Sequence, residues 1–417
     1  MPAETASTSD TQQVRCCIAG GGPAGMMLGF LLARAGVEAM VLEKHGDFLR
    51  DFRGDTIHPS TLQLMHELGL LDEFLKRPHN QATHLTGCIG PEEVTVADFT
   101  HLPTRCRFIA FMPQWDFLNF IADHARRYPT FHLRMQTEVD DLIEESGRIV
   151  GVRASGPDGH AEIRADLVVG ADGRHSTVRE CAKLHVDNLG APIDVLWLRL
   201  PRKKSDPTNP LGHFDRGKVL VLLDRGDYWQ GGFVIPKGAF DEIRQRGLDQ
   251  FRSNLAEIAP FLKDRVGELR DWSDIKLLTV AVDRLQRWHR PGLLCIGDAA
   301  HAMSPIGGVG INLAIQDAVA TANLLAEPLR RGTLEAGDLQ KVQSRREFPT
   351  RATQRLQVII QNRVISRVLA AQRQLKVPWI LRLLRRFPIL RRIPARLVGM
   401  GFRPEHIRTP DMFASAK

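Results

Sequence analysis

An α/β fold is predicted, with a βαβ core, an inserted β-rich domain and a basic helical C-terminal region. Three observations predict it. Residues 14–19 form a short apolar run that ends in Gly20-Gly21-Gly22-Pro23-Ala24-Gly25 and passes into a helical pattern. A second apolar run, 293–296, ends in Gly297-Asp298-Ala299-Ala300-His301 and again enters a helical pattern. Between them, from about 185 to 280, short alternating runs are joined by turn-rich pieces, the texture of an antiparallel sheet.

The elements follow in order. Residues 14–19 read as a buried strand, 24–35 as a helix closed by Gly36, and 37–43 as the second strand of a βαβ unit. A helix after Pro59 covers 61–68 and stops at Gly69; another covers 114–127. Strands are expected at 131–139, 148–154, 162–163 and 167–169, with Pro157-Asp158-Gly159 as a turn. In the insertion, 195–200, 219–224 and 229–235 read as strands, with 203–209 and 224–227 as turns. The core resumes near Leu293 and continues into a helix over 310–325. These readings divide the chain into a tail, 1–13; core segments 14–75, 101–184 and 281–345; inserted segments 76–100 and 185–280; and the basic helical region 346–417.

Size and composition fit a soluble globular protein. At roughly 150 residues per domain, 417 residues make two or three domains. The net charge is +8 and the pI near 9.4, an excess that attracts an anionic ligand, nucleic acid or membrane surface. No aromatic-basic RNA motif or zinc-finger spacing accompanies it, so nucleic acid is not an expected partner and no metal is expected. The six cysteines have no ligand spacing, and Cys16-Cys17 lie in a strand instead of a redox CxxC. Free structural thiols point to a reducing compartment, the cytoplasm. Residues 1–13 are polar and carry no signal-peptide pattern.

Gly20, Gly22 and Gly25 have the G-x-G-x-x-G spacing between a strand and a helix. In that context Gly20 allows the tight turn, Gly22 lets backbone approach a pyrophosphate, and Gly25 lets helix and sheet pack closely. The helix then presents free N–H groups and its positive end to phosphates. Glu43 ends the second strand about twenty residues on, where an acid accepts ribose hydroxyls. The fingerprint alone leaves open whether the dinucleotide carries flavin or nicotinamide.

Two further motifs decide that question by resemblance. The run Asp166-Leu167-Val168-Val169-Gly170-Ala171-Asp172-Gly173-Arg174 is similar to the DG motif of the para-hydroxybenzoate hydroxylase family, the class A flavin-dependent monooxygenases. Gly297-Asp298-Ala299-Ala300-His301, followed by Pro305, Gly307, Gly308, Gly310 and Asn312, resembles that family's GD motif. The three motifs stand in the family's order, and the resemblance covers 14 to about 345. It implies a glutathione-reductase-like FAD domain with an inserted substrate domain. It also implies FAD as cofactor, NAD(P)H and O₂ as co-substrates, and a small organic substrate. Carried onto this sequence, Glu43 holds the adenosine ribose, Arg53 lies near the pyrophosphate, Gln114 on the ribityl side, and Val139 approaches adenine through its backbone. Asp298 binds the ribityl chain, and the N–H groups of Gly310, Ile311 and Asn312 face the flavin pyrimidine ring. Ala24 and Lys44 complete the cofactor set. Pro305 shapes the site on the reactive face. Asp172 either contacts the cofactor region or caps the helix near Ser176. His301 is expected to pack or hydrogen-bond.

No second glycine fingerprint occurs, which argues against a separate nicotinamide domain and against the disulfide-reductase branch. The expected activity is hydroxylation or epoxidation of an aromatic, polyketide-like or lipophilic molecule. Two alternatives stay open: an isoprenoid reductase or quinone-pathway hydroxylase at the membrane, and a flavin-binding protein without turnover. His213, Tyr228 and Trp229 are candidates for a substrate-activating base, each with packing as the blander reading. The basic C-terminal region is a helical pair packed on the core, a lid or dimer contact, or a peripheral membrane contact, with Pro378, Pro388 and Pro394 breaking the helix.

Overall fold

A computed structural model describes residues 11–49, 56–207 and 212–414. The core sheet is built from strand β1 (Thr11–Ala19), helix α1 (Pro23–Arg34) and strand β2 (Ala39–Glu43), with helix α2 (Pro59–Glu67) beyond. Strands β3 (His84–Ile89) and β4 (Glu92–Asp98) then leave for a second sheet. Helix α3 (Gln114–Ala125) leads back to β5 (Phe131–Met135), β6 (Glu138–Glu145), β7 (Arg148–Gly156) and β8 (Gly159–Gly170). Helix α4 (Thr177–Cys181) precedes the insertion, which holds β9 (Ile193–Pro201), β10 (Gly212–Asp215), β11 (Lys218–Asp224), β12 (Tyr228–Pro236) and β13 (Lys276–Leu278). Strands β14 (His289–Arg290) and β15 (Leu293–Cys295) close the core sheet. Helices α5 (Gly310–Arg331), α6 (Ala336–Ile360), α7 (Trp379–Arg386) and α8 (Arg392–Gly399) end the chain.

The core sheet runs β14-β15-β8-β1-β2-β5, with β7 and β6 added as a meander on β8. Its centre is parallel: β1 pairs in parallel with β2 and β8, and β8 with β15. Helices cover it, so its strands are continuously apolar; Cys16, Cys17, Ile18, Val168 and Leu294 are all fully buried. Ten of the twelve residues of α1 are buried as well, which places this helix between the sheet and α5. The second sheet runs β13-β9-β12-β11-β10-β3-β4, antiparallel except where β10 meets β3. Its two faces are used differently. Leu196, Leu198, Leu220, Leu222 and Phe233 pack with Phe251 and Leu255 of a helix on one side. Val195, Val219 and Val234 pack on the other side with Ile365 and Val368, from the helical segment that continues α6, and with Ile306 in the turn that precedes α5.

Several expectations need correction. Thr11, Gln12 and Gln13, read as tail, continue β1 and pair with Glu162, Ile163 and Arg164. The single strand over 131–139 is two, because Gln136 adopts φ 53° and turns the chain between β5 and β6. The two short runs at 162–163 and 167–169 are one long strand, β8, whose Ala161 pairs with β7 and whose Gly170 pairs with β1 and β15. The boundary at 345/346 falls inside α6, which is continuous from 336 to 360. The helix expected over 310–325 extends to Arg331 and ends at left-handed Gly332. Pro394 does not break a helix: it lies in the first turn of α8, where no intrahelical N–H bond is lost.

Candidate flavin and substrate site

The glycine fingerprint has three different geometries. Gly20 sits at φ 103°, and a Cβ there would lie 2.4 Å from the Ala171 carbonyl oxygen. A Cβ on Gly25 would lie 1.9 Å from the Gly20 carbonyl oxygen. Both glycines are therefore fixed by the packing of the protein itself. Gly22 differs: nothing stands within 4 Å of its would-be Cβ. It is the N-cap of α1, and no side chain caps that helix start. The result is an open cradle at a positive helix end, which fits a phosphate group.

Glu43, nearly buried, faces this cradle. Its Oε2 accepts the Gly21 N–H at 2.9 Å, and its Oε1 accepts the His45 N–H at 3.0 Å and lies 2.5 Å from His45 Nδ1. Lys44 points elsewhere and pairs with Glu138 at 3.2 Å in solvent. Gln114 opens α3 behind Pro113, and Val139 is buried in β6 opposite Ala154. Arg53 lies outside the described residues.

The second cradle comes from the distant motif. Gly297 has φ 59°, and its would-be Cβ is 3.2 Å from the Cβ atoms of Ala24 and Ala314, so the two motifs touch here. Asp298 is half-buried in the short turn that follows. Pro305 opens the next turn, in which Gly307 and Gly308 have φ 78° and 61°. A side chain on Gly308 would collide with Thr56 Oγ1 at 2.3 Å. The Asn312 side chain is spent internally. Its Oδ1 accepts the His58 N–H at 2.9 Å and the Thr61 hydroxyl at 2.8 Å, and its Nδ2 donates to the Thr56 and Gly308 carbonyls. This leaves Asn312, Gly310 and Ile311 as backbone donors in the first turn of α5, which has no side-chain cap.

Asp172 helps satisfy the start of helix α4 near Ser176, though the cap itself is Ser176: Asp172 Oδ2 accepts the Val178 N–H at 3.1 Å. Its Oδ1 is buried without a partner, and burial pushes the carboxyl above its usual range. An unpaired buried carboxylate oxygen is a cost that a ligand donor removes.

Beneath the second cradle lies a network that sequence reasoning missed. Asp317 is fully buried on α5; its Oδ2 accepts the Gly297 N–H at 3.1 Å and lies 2.6 Å from His301 Nε2. Arg346 of α6 donates from Nε to Asp317 Oδ1 at 2.8 Å. Burial alone would raise the Asp317 carboxyl, but His301 and Arg346 outweigh it and hold it below the usual range. The signal was present: an Asp inside the apolar, alanine-rich run 311–322 is costly unless paired.

Two of the three base candidates, His213 and Trp229, face away from this site. Register places His213 opposite Leu220 and Trp229 opposite Leu200, on the sheet face that packs away from the Ile306 turn. Trp229 Nε1 donates to Asp206 at 2.8 Å, and Phe261 lies 6.1 Å from both rings. Tyr228 stacks under the Arg199 guanidinium, 5.2 Å from its ring centroid, where the strand ends. The face toward the turn instead carries Val195, Val219 and Val234, covered by Ile365 and Val368, with the partly exposed Trp197 and Val221 next to them and Arg199 and Gln230 further along the strands.

Two glycine-bounded cradles at helix N-termini, joined on one parallel sheet with an acid beside the first, define a flavin-dinucleotide enzyme with an inserted substrate sheet. The chain belongs to the family of the FAD binding domain, whose model matches residues 13–356, and it is an FAD-dependent monooxygenase. It is 34% identical over 411 residues to the 6-methylpretetramide 4-monooxygenase of Streptomyces rimosus, covering 97% of this chain and 96% of that one. It is 25% identical to the para-nitrophenol 4-monooxygenase of Pseudomonas sp. strain WBC-3, over 76% of this chain and 78% of that one. Its fold is similar to the solved p-nitrophenol 4-monooxygenase PnpA of Pseudomonas putida DLL-E4, with a TM-score of 0.73 at 21% identity, covering 92% of this chain and 97% of the other.

Proposed function

We propose that this enzyme hydroxylates a flat aromatic, polyketide-like molecule, with NAD(P)H as reductant and O₂ as the source of the inserted oxygen atom. The partly exposed Trp197 and Val221, on the sheet face that also meets Ile306 of the Pro305–Gly308 turn, carry the reading; Val195, Val219 and Val234 beside them are closed off by Ile365 and Val368 and back that face. Such a face suits a polycyclic ring better than a charged or sugar-like substrate. The 34%-identical relative, named for action on 6-methylpretetramide, supports the same class.

When bound, FAD supplies hydride acceptance and oxygen activation. The residues of this chain do the rest. Gly22 and the start of α1 receive the pyrophosphate, with Ala24 and Gly25 in the same turn. Glu43 takes the ribose hydroxyls and Asp298 the ribityl hydroxyls, with Gln114 beside the chain between. Val139 meets the adenine through its backbone, and Asp172 borders the nicotinamide approach. The amides of Gly310, Ile311 and Asn312 open a helix with no side-chain cap and would stabilise the negative charge of a reduced ring held there. Pro305 shapes the reacting face, and the apolar side chains of the sheet face keep water out. Fully buried free thiols such as Cys17, pushed up to about 12 by burial, suit a cytoplasmic setting.

A panel of polycyclic phenols and quinones tests the reading, with NADH and NADPH consumption, O₂ uptake and peroxide followed together. Substrate-stimulated consumption with little peroxide and a product heavier by one oxygen is expected. Consumption without O₂ uptake would favour a reductase, and none with any compound would favour a flavin protein without turnover.

A further inference from the structure

We propose that the α7–α8 segment is a docking surface for an anionic phospholipid bilayer. Among the described residues, fifteen large apolar side chains are exposed, and six of them fall within residues 379–393: Trp379, Ile380, Leu383, Phe387, Ile389 and Ile393. Trp379 is 70% exposed, Ile389 62% and Ile393 61%, so these are full side chains standing in solvent, not edges of the core. Ile380, Leu383 and Phe387 recur at i, i+3 and i+7, which places them on one stripe of α7 and its C-terminal cap.

The segment is ordered by its other side. Ala395 and Gly399 of α8 are buried, and a Cβ on Gly399 would meet Leu102 and Phe99 at 2.8 and 3.2 Å. Helix α8 is thus seated on the edge of the substrate sheet, and the apolar stripe is the face left over.

Charge decides what covers that face. Residues 348–404 contain thirteen Arg and Lys and no Asp or Glu. Within 379–396, only Arg385 is ion-paired among the described residues, with Glu92 at 2.7 Å. Arg382, Arg386, Arg392 and Arg396 remain as uncompensated cations between the apolar side chains. A protein–protein interface also favours Arg and aromatic residues, so the deciding feature is the single sign of the charge: residues 379–396 hold six Arg and no acid, and a second copy of this chain would meet them with like charge. Cations interleaved with Trp, Phe and Ile instead match a helix lying in a headgroup layer, where the apolar side chains enter the acyl boundary and the arginines meet lipid phosphates. The exposed stripe over 379–393 takes no part in the cavity that Leu397 and Val398 at the end of α8 share with Gly307 and Asn312, and it does not depend on the turnover assigned to the flavin site.

Flotation of the FAD-loaded full chain tests it, with vesicles of phosphatidylcholine alone or with 30% phosphatidylglycerol. Binding to the anionic vesicles only, and its loss in high salt, is expected. Arg382→Ser with Arg386→Ser and Arg392→Ser should weaken partitioning roughly a hundred-fold, about five-fold per near-surface cation. Trp379→Ser with Ile380→Ser should also reduce it, while FAD content and melting temperature stay at wild-type values. Absence of flotation on anionic vesicles, or equal flotation of wild type and both variants, would overturn the proposal. So would light scattering that shows a stable dimer of wild type which either variant dissolves, because a second copy would then cover the stripe.

Discussion

Arg346 and Asp317 form an ion pair closed to solvent: Nε to Oδ1 is 2.8 Å, and the two side chains are 1% and 0% exposed. Through Asp317 the pair reaches the Gly297 N–H, in the turn that carries Asp298. On the far side, Arg346 Nη1 lies 3.6 Å from Glu405, which Arg345 holds at 2.8 Å. The second flavin cradle is thus fastened to the C-terminal part of the chain by buried charge. Such a pair adds little net stability over an apolar equivalent, but removing one partner strands the other. Asp317→Asn is expected to cost about 3–5 kcal/mol, read as a lowered denaturation midpoint. A loss under 1 kcal/mol would show that the network is slack.

Gly22 and Gly25 should fail differently. Gly25→Ala drives a methyl to 1.9 Å from a backbone oxygen, so the folded protein itself is expected to be lost or strongly destabilised. Gly22→Val enters open space at a φ of −74° that valine tolerates. The variant should keep its circular dichroism spectrum and lose FAD retention. A Gly22→Val protein that purifies fully yellow would contradict the cradle.

Glu43 tests the ribose contact. Glu43→Gln keeps the shape and one acceptor but removes the charge that Gly21 and His45 support. Hydrogen bonds to a charged group contribute about 1.5–3 kcal/mol, so FAD affinity should fall roughly ten- to hundred-fold. Unchanged affinity in a calorimetric titration would remove the assignment.

His58 gives a pH signature. Burial, opposed only in part by its bond to the Val398 carbonyl, pushes its imidazole down to about 4. The unfolded chain takes up the proton near 6.5 and the folded chain does not, so stability falls as pH drops from about 6.5 toward 4. The full loss is on the order of 3 kcal/mol. In urea melts across that range, His58→Gln should flatten the slope relative to wild type. Parallel slopes would show that the ring is hydrated in the folded state.

Much of the site was legible in the sequence because each feature is local. A glycine turn between an apolar strand and a helix can be read from seven or eight residues, and Glu43 follows from the strand that must come next. What escaped reading depends on packing between distant segments. Gly22 and Gly25 look alike in sequence, yet one faces open space and the other a carbonyl. Asp317 declares itself costly, but its partners Arg346 and Gly297 are known only once α5, α6 and the turn are brought together. His213 and Trp229 were candidates because polar residues in a substrate sheet attract attention; strand register, invisible beforehand, turns both to the other face. The split of 131–139 at Gln136 has the same cause, since a left-handed residue other than glycine leaves little trace in composition.

The most direct test of the central claim is the visible spectrum and FAD content of the purified wild-type chain, followed by stripping and re-addition of FAD during a melting experiment. One FAD per chain, an absorbance band in the blue and a higher melting temperature on re-addition are predicted. A colourless protein whose melting temperature FAD leaves unmoved would contradict the joining of the two cradles into one cofactor site.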